Sequence, residues 1–122
     1  MIEAILVDYL GTELEVPVFV MFPENFPRDE FIVLDRIGTG KTNYVTSYEI
    51  AIQSYGDTAF NAAALNEEVI DAMENLLEDD RFSRIHLNNS QMQTDTERKL
   101  NRYQSTFEIV MLSKGINIWR ML

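Results

Sequence analysis

The chain has 122 residues, enough for one domain around a single core, with a formal net charge of −10 and no cysteine. That charge argues against wholesale or sequence-specific nucleic-acid binding, which needs a positive face, and the missing cysteine removes disulfides, thiolate metal sites and a cysteine nucleophile. One histidine, His86, leaves no His-rich metal site and little for a His-based triad.

Ile2, Ile5, Leu6, Tyr9 and Leu10 recur at the spacing of one helical face, with Gly11 as the expected stop. Glu3 and Asp8 sit in this apolar start and no basic segment precedes it, which predicts no secretory signal. No run approaches the roughly 18 apolar residues of a membrane span. VPVFVMF (16–22), bracketed by Pro17, Pro23 and Pro27, is apolar on both faces of an extended chain. It predicts a strand covered on both sides, by its own fold or by a neighbouring subunit.

FIVLDRIG (31–38) and YVTSYEIAIQSYG (44–56) predict two strands. In the second, Tyr44, Thr46, Tyr48, Ile50 and Ile52 share a face, with Ser47, Glu49 and Gln53 opposite. Between them GTGKTN (38–43) reads as a hairpin loop. GTGKT also matches the end of a phosphate-binding loop, G-x-x-x-x-G-K-[ST]. Five places before Gly40, however, stands Asp35 instead of glycine, and an alternating strand follows where a phosphate loop needs a helix N-terminus. The nucleotide reading fails on both counts, and no cofactor is expected.

Asp57 to about Leu77 predicts a long helix whose apolar side is Ala62, Ala63, Leu65, Val69, Ile70, Ala72, Met73, Leu76 and Leu77. Glu67, Asp71 and Glu74 line the opposite side, where carboxylates face solvent instead of converging on a metal. After the acidic turn 78–80, RFSRIHL (81–87) predicts a strand, with His86 half exposed on it. NNSQMQTDTERKLN (88–101) reads as a long polar loop, and RYQSTFEIVML (102–112) alternates again as a strand. The apolar end of the chain, 113–122, is either a last piece of core or a docking surface. The order α-β-β-β-α-β-β predicts a single α+β domain, an antiparallel or mixed sheet packed with helices.

Several landmarks stand in a particular order. An N-terminal helix runs into VPVFVMFPENFPRDEFIVLDRIGTG; AIQSYGDTAFNAAALNEEVIDAMENL takes a strand directly into a helix; then come an acidic turn, a strand, Thr94-Asp95-Thr96 and a strand opening Arg102-Tyr103-Gln104. Over roughly residues 3 to 112 the chain resembles the tail terminator, or tail completion, proteins of bacteriophages with long non-contractile tails. IAIQSYGDTAFNAAALNEEV is the most specific segment, whereas RIGTGK departs from the Gly-Gly tip of such proteins.

The resemblance implies a non-catalytic virion protein, made in the bacterial host cytoplasm. It would form a homo-hexameric ring that stops polymerisation of the tail tube protein and meets a head-side connector or stopper. Contacts to neighbours and partners are then expected at Val18, Val20 and Phe22, at the tip Gly38, Thr39, Gly40 and Lys41, and at Thr94, Asp95 and Arg98. The alternative from a different class is a monomeric adaptor that uses the acidic helix face for recognition.

Overall fold

A computed structural model describes residues 1–42 and 44–112. The elements are α1 (Ile2–Leu14), β1 (Val18–Phe19), β2 (Phe31–Thr42), β3 (Val45–Gly56), α2 (Ala59–Leu76), β4 (Phe82–Met92) and β5 (Asn101–Leu112). Five strands form a mixed sheet in the order β1-β2-β3-β5-β4. β1 runs parallel to β2 and the other neighbours are antiparallel. The expected α+β domain is therefore what the chain forms. Because β5 inserts between β3 and β4, α2 is a crossover that spans the face of the sheet.

Both helices lie on that face. Ile2, Leu6 and Leu10 of α1 and Leu65, Val69, Met73 and Leu76 of α2 meet Ile32, Leu34, Ile50, Ile52, Phe107 and Ile109 of the sheet in one buried core. Each fully buried aliphatic or aromatic side chain contributes about 1.5–3 kcal/mol relative to exposure. The Tyr9 hydroxyl donates to the Ala72 carbonyl at 2.6 Å, tying α1 to α2. Thr58 caps α2 by accepting from the Asn61 N–H at 3.0 Å, which ends β3 and starts the helix within two residues.

Small residues let α2 lie close to the sheet. A Cβ on Gly56 would fall 2.6 Å from the Ala62 nitrogen and 3.0 Å from the Asn61 carbonyl carbon. Ser54 of β3 and Ser105 of β5, which stands opposite Ile52, are completely buried. The Ser105 hydroxyl donates to Asn66 Oδ1 at 2.5 Å, and Asn66 Nδ2 donates to Ser90 Oγ at 2.8 Å. This short chain of bonds fixes the rotation of α2 over β5 and β4. Ser54 Oγ has no hydrogen-bond partner among the described residues, so its value there is its size.

The boundaries differ from the sequence reading in four places. α1 passes through Gly11, whose missing side chain faces Val16 and Val18, and stops at Glu15, which adopts a left-handed φ of 55 with its N–H on the Gly11 carbonyl. Val16, preceding Pro17, is steered away from helix in any case. In the apolar run 16–22 only Val18 and Phe19 pair as strand, and Val20 and Met21 are exposed, not covered on both sides. Pro17 and Pro23 lack the N–H groups that a longer ladder needs.

GTGKT is not loop: Gly38–Thr42 pair with Val45–Glu49, leaving a turn in which Tyr44 takes a φ of 67. Residues 88–92 of the expected polar loop are likewise strand, paired with β5. Position 43 and the apolar end 113–122 lie outside the described residues. Gly56→Ala is expected to lower stability by about 1–3 kcal/mol in urea unfolding, because backbone must shift to admit one methyl. An unchanged midpoint would show that α2 is not held at this separation.

Candidate contact surfaces

Among the described residues, the outer face of the sheet, away from the helices, is covered at one end only. There Phe31 and Tyr55 stack face to face with ring centroids 4.6 Å apart, and together with Val33 they are buried. The chain leaving β1 folds beneath them: Phe19, Phe22 and Phe26 meet Phe31 at 6.1, 5.9 and 6.0 Å, and Phe22 meets Tyr55 at 5.6 Å. Of the residues expected at a contact, Phe22 thus belongs to an internal aromatic cluster and Val18 is half buried in β1. Val20, at 51% exposure beside Met21 at 76%, is open to a partner.

The turn between β4 and β5 locks onto this cluster. Asp95, only 4% exposed, bridges back to Leu100 through two backbone hydrogen bonds of 3.0 and 3.1 Å. Its carboxylate accepts from the Arg98 guanidinium at 2.8 Å and from the Arg98 N–H at 3.1 Å, and Arg102 lies 3.8 Å away. Burial pushes the Asp95 carboxyl up, but the hydrogen bonds from Arg98 and the charges of Arg98 and Arg102 carry it below its ordinary value. Arg98 places its guanidinium 3.8 Å from the centroid of Phe22, and Arg102 donates to the Tyr55 hydroxyl at 3.1 Å and the Gln93 carbonyl at 2.7 Å. Two of the three expected contact groups therefore meet each other, and Asp95 and Arg98 do structural work inside the subunit. Thr94 remains exposed beside them.

This clamp was not legible beforehand, although Asp95, Arg98 and Arg102 stand three and four residues apart. The signal lay in the far partners, Phe22 and Tyr55, which no local pattern connects.

Gly38, Thr39, Gly40 and Lys41 lie at the other end of the β2–β3 hairpin. Gly38, Thr39 and Gly40, but not Lys41, border with Ser47, Glu49, Asn88 and Glu108 an open depression of about 320 Å³ on the sheet. Their backbone pairs with β3 strand to strand, so their N–H groups do not converge as a phosphate cradle requires. Past Val33, β2 has no strand on its far side among the described residues, and β4 has none beyond it. Each edge carries a bulge, at Arg36/Gly38 in β2 and at Phe82/Arg84 and Leu87/Asn89 in β4. Bulges of this kind discourage indiscriminate edge pairing.

His86 is exposed on the outer face opposite Glu108, which pairs with Arg84 at 3.2 Å. Glu67, Asp71 and Glu74 are exposed along α2, and no group of three or more metal-ligating side chains occurs among the described residues. Neither helix contains a basic residue, so the helix layer is uniformly acidic. Crowding shows at Glu30, whose carboxyl is raised by burial and by the charges of Glu68, Asp57 and Asp29. No helix among the described residues is long and apolar enough to cross a membrane.

No family model matches the chain, and no curated protein matches it in sequence comparison.

Two outcomes test these surfaces. Asp95 has a depressed folded pKa, so its stabilisation is complete above the unfolded value of about 3.9 and is lost as pH falls through the lower folded value. Asp95→Asn should cost about 1–3 kcal/mol in urea unfolding at pH 7 and flatten the acid limb of stability below about pH 4. Equal stability curves would contradict the clamp. Titration with ATP or GTP should give no saturable signal in either the wild-type chain or Lys41→Ala; saturable binding abolished by that substitution would restore the phosphate-loop reading.

Proposed function

We propose that the chain is a structural virion protein that closes a hexameric ring on the end of a phage tail tube, stops tube growth and offers a surface to a head-side connector. The observation that carries this reading is the strand-to-helix unit 50–69. The segment on which the resemblance is most specific, from Ile50 through Gly56 and the Thr58 cap to Val69, folds as one piece with a packing requirement at Gly56. The order of elements and the mixed sheet are compatible with the same family resemblance. Two sheet edges left open among the described residues also suit the reading, since a head-to-tail interface that closes by rotation leaves no free subunit edge in the ring plane.

A second reading is favoured by one observation, the helix layer without a basic residue. A monomeric adaptor would use α1 and α2 to hold a basic partner.

The two readings separate in solution. At a net charge of −10 per chain, subunits brought together repel one another, and salt or magnesium screens that cost. Sedimentation velocity over protein concentration, salt and magnesium should show a species of six subunits whose population rises with ionic strength, visible as rings by electron microscopy. A monomer that persists under all these conditions contradicts the ring and favours the adaptor.

A further inference from the structure

Residues 20–30 join β1 to β2 without regular structure. Among the described residues, no backbone hydrogen bond outside the helices and strands begins or ends within them, although Ile32 N–H reaches the Pro17 carbonyl at 2.9 Å. The segment is attached through β1, a ladder of two residue pairs, and through side chains. Its outward side carries Val20 and Met21, and Phe26 is 40% exposed. Its inward side places Phe22 and Phe26 on Phe31 and Tyr55. Among the described residues, the guanidinium seated on it is that of Arg98, over the Phe22 ring, and Arg98 is in turn oriented by Asp95.

The surface beneath is unlike the rest of the outer face. Phe31, Val33 and Tyr55 are 2%, 5% and 2% exposed, yet they lie on the opposite side of the sheet from the main core and contribute nothing to it. Removing the segment from them would leave the α1–α2 packing and the β2–β3 and β3–β5 ladders intact. Local opening at a free energy below that of global unfolding is the rule for segments with few backbone bonds and few buried contacts.

We propose that residues 20–30 are a lid, pinned shut by Arg98 on Phe22, which opens over the Phe31–Val33–Tyr55 floor while the helix-covered core stays folded. The device keeps a compact apolar surface out of water and makes its exposure depend on one cation–aromatic contact and on the Asp95–Arg98 pair behind it. Pro23 and Pro27 stiffen the lid, so it moves as a strap about its ends instead of collapsing residue by residue. The inference does not depend on ring formation: a lid is present or absent in the isolated subunit.

The chain contains no cysteine, so a single introduced thiol reports cleanly. Val33→Cys places the thiol in the floor, and Ile52→Cys places it in the helix-covered core. Reaction with an aromatic disulfide reagent in native buffer should label Val33→Cys faster than Ile52→Cys. Adding Arg98→Ala should accelerate Val33→Cys roughly tenfold and Ile52→Cys much less, with Arg98→Lys between, because lysine keeps the charge but not the planar stacking. Equal labelling rates at the two thiols in every background, with the same denaturant dependence, would overturn the lid.

A second measurement needs no substitution in the floor. Trypsin cleavage after Arg28, within the lid of the cysteine-free chain, should proceed at a rate independent of low denaturant and should quicken in Arg98→Ala. Cleavage that tracks global unfolding would overturn the proposal.

Discussion

The separation between α2 and the β3–β5 pair sets most of the other distances in the molecule. Gly56 admits the first turn of the helix against the end of β3, and buried serines at 54 and 105 leave room for the turns that follow. At that separation Asn66 reaches both Ser105 and Ser90, which aligns α2 across β5 and β4. The alignment brings Leu65, Val69, Met73 and Leu76 over Ile50, Ile52, Phe107 and Ile109, and α1 then fills the remaining flank with Ile2, Leu6 and Leu10. A bulkier residue at 56, or a side chain at 66 that cannot hydrogen-bond, acts on all of these contacts at once. Buried polar chains have this property: satisfied, they specify one arrangement, and left half-satisfied they cost more than an apolar replacement.

The main core was legible because its elements repeat their own period. Ile50 and Ile52 alternate in β3, Phe107 and Ile109 in β5, and Leu65, Val69, Met73 and Leu76 follow the turn of a helix, so one-dimensional pattern and three-dimensional face agree. Legibility failed where a residue's environment is made by distant chain. Gly11 carries a turn-former's composition but is accommodated in the helix opposite Val16 and Val18. Gly38–Thr42 and Asn88–Met92 lack apolar residues on a regular period, yet each has a strong partner strand that determines its conformation. The aromatic cluster is the largest omission among the candidate contacts. Its members come from residues 19–31, from Tyr55 and from the 95–102 turn, and only the antiparallel register of β2, β3 and β5 brings them together.

The molecule is thus asymmetric about its sheet. On one side two acidic helices seal the core. On the other, a pinned aromatic patch covers one end, and among the described residues a polar region from Gly38 and Glu49 to Glu108 and His86 is left uncovered. Glu49 and Glu108 face each other directly across β3 and β5, a like-charge pairing that weakens a sheet and has no stabilising role within the subunit. This pair, the sheet edges left open among the described residues, and exposed Val20 and Met21 lie away from the helix layer, whereas on the helix side Phe60 of α2 is 80% exposed. In the proposed ring that distribution has a use, because contacts with neighbours and with the tube would fall on the sheet side and its edges while like-charged helices point apart.

Amide hydrogen exchange, compared between dilute subunit and assembled protein, tests this division most directly. The account predicts slow exchange at 50–54 and 105–109 in both states, and fast exchange at the outward-facing amides of 38–42 that slows on assembly. If assembly instead protects α1 and α2 and leaves the 38–42 edge and β4 unchanged, the contact surface lies on the acidic helices and the account is wrong.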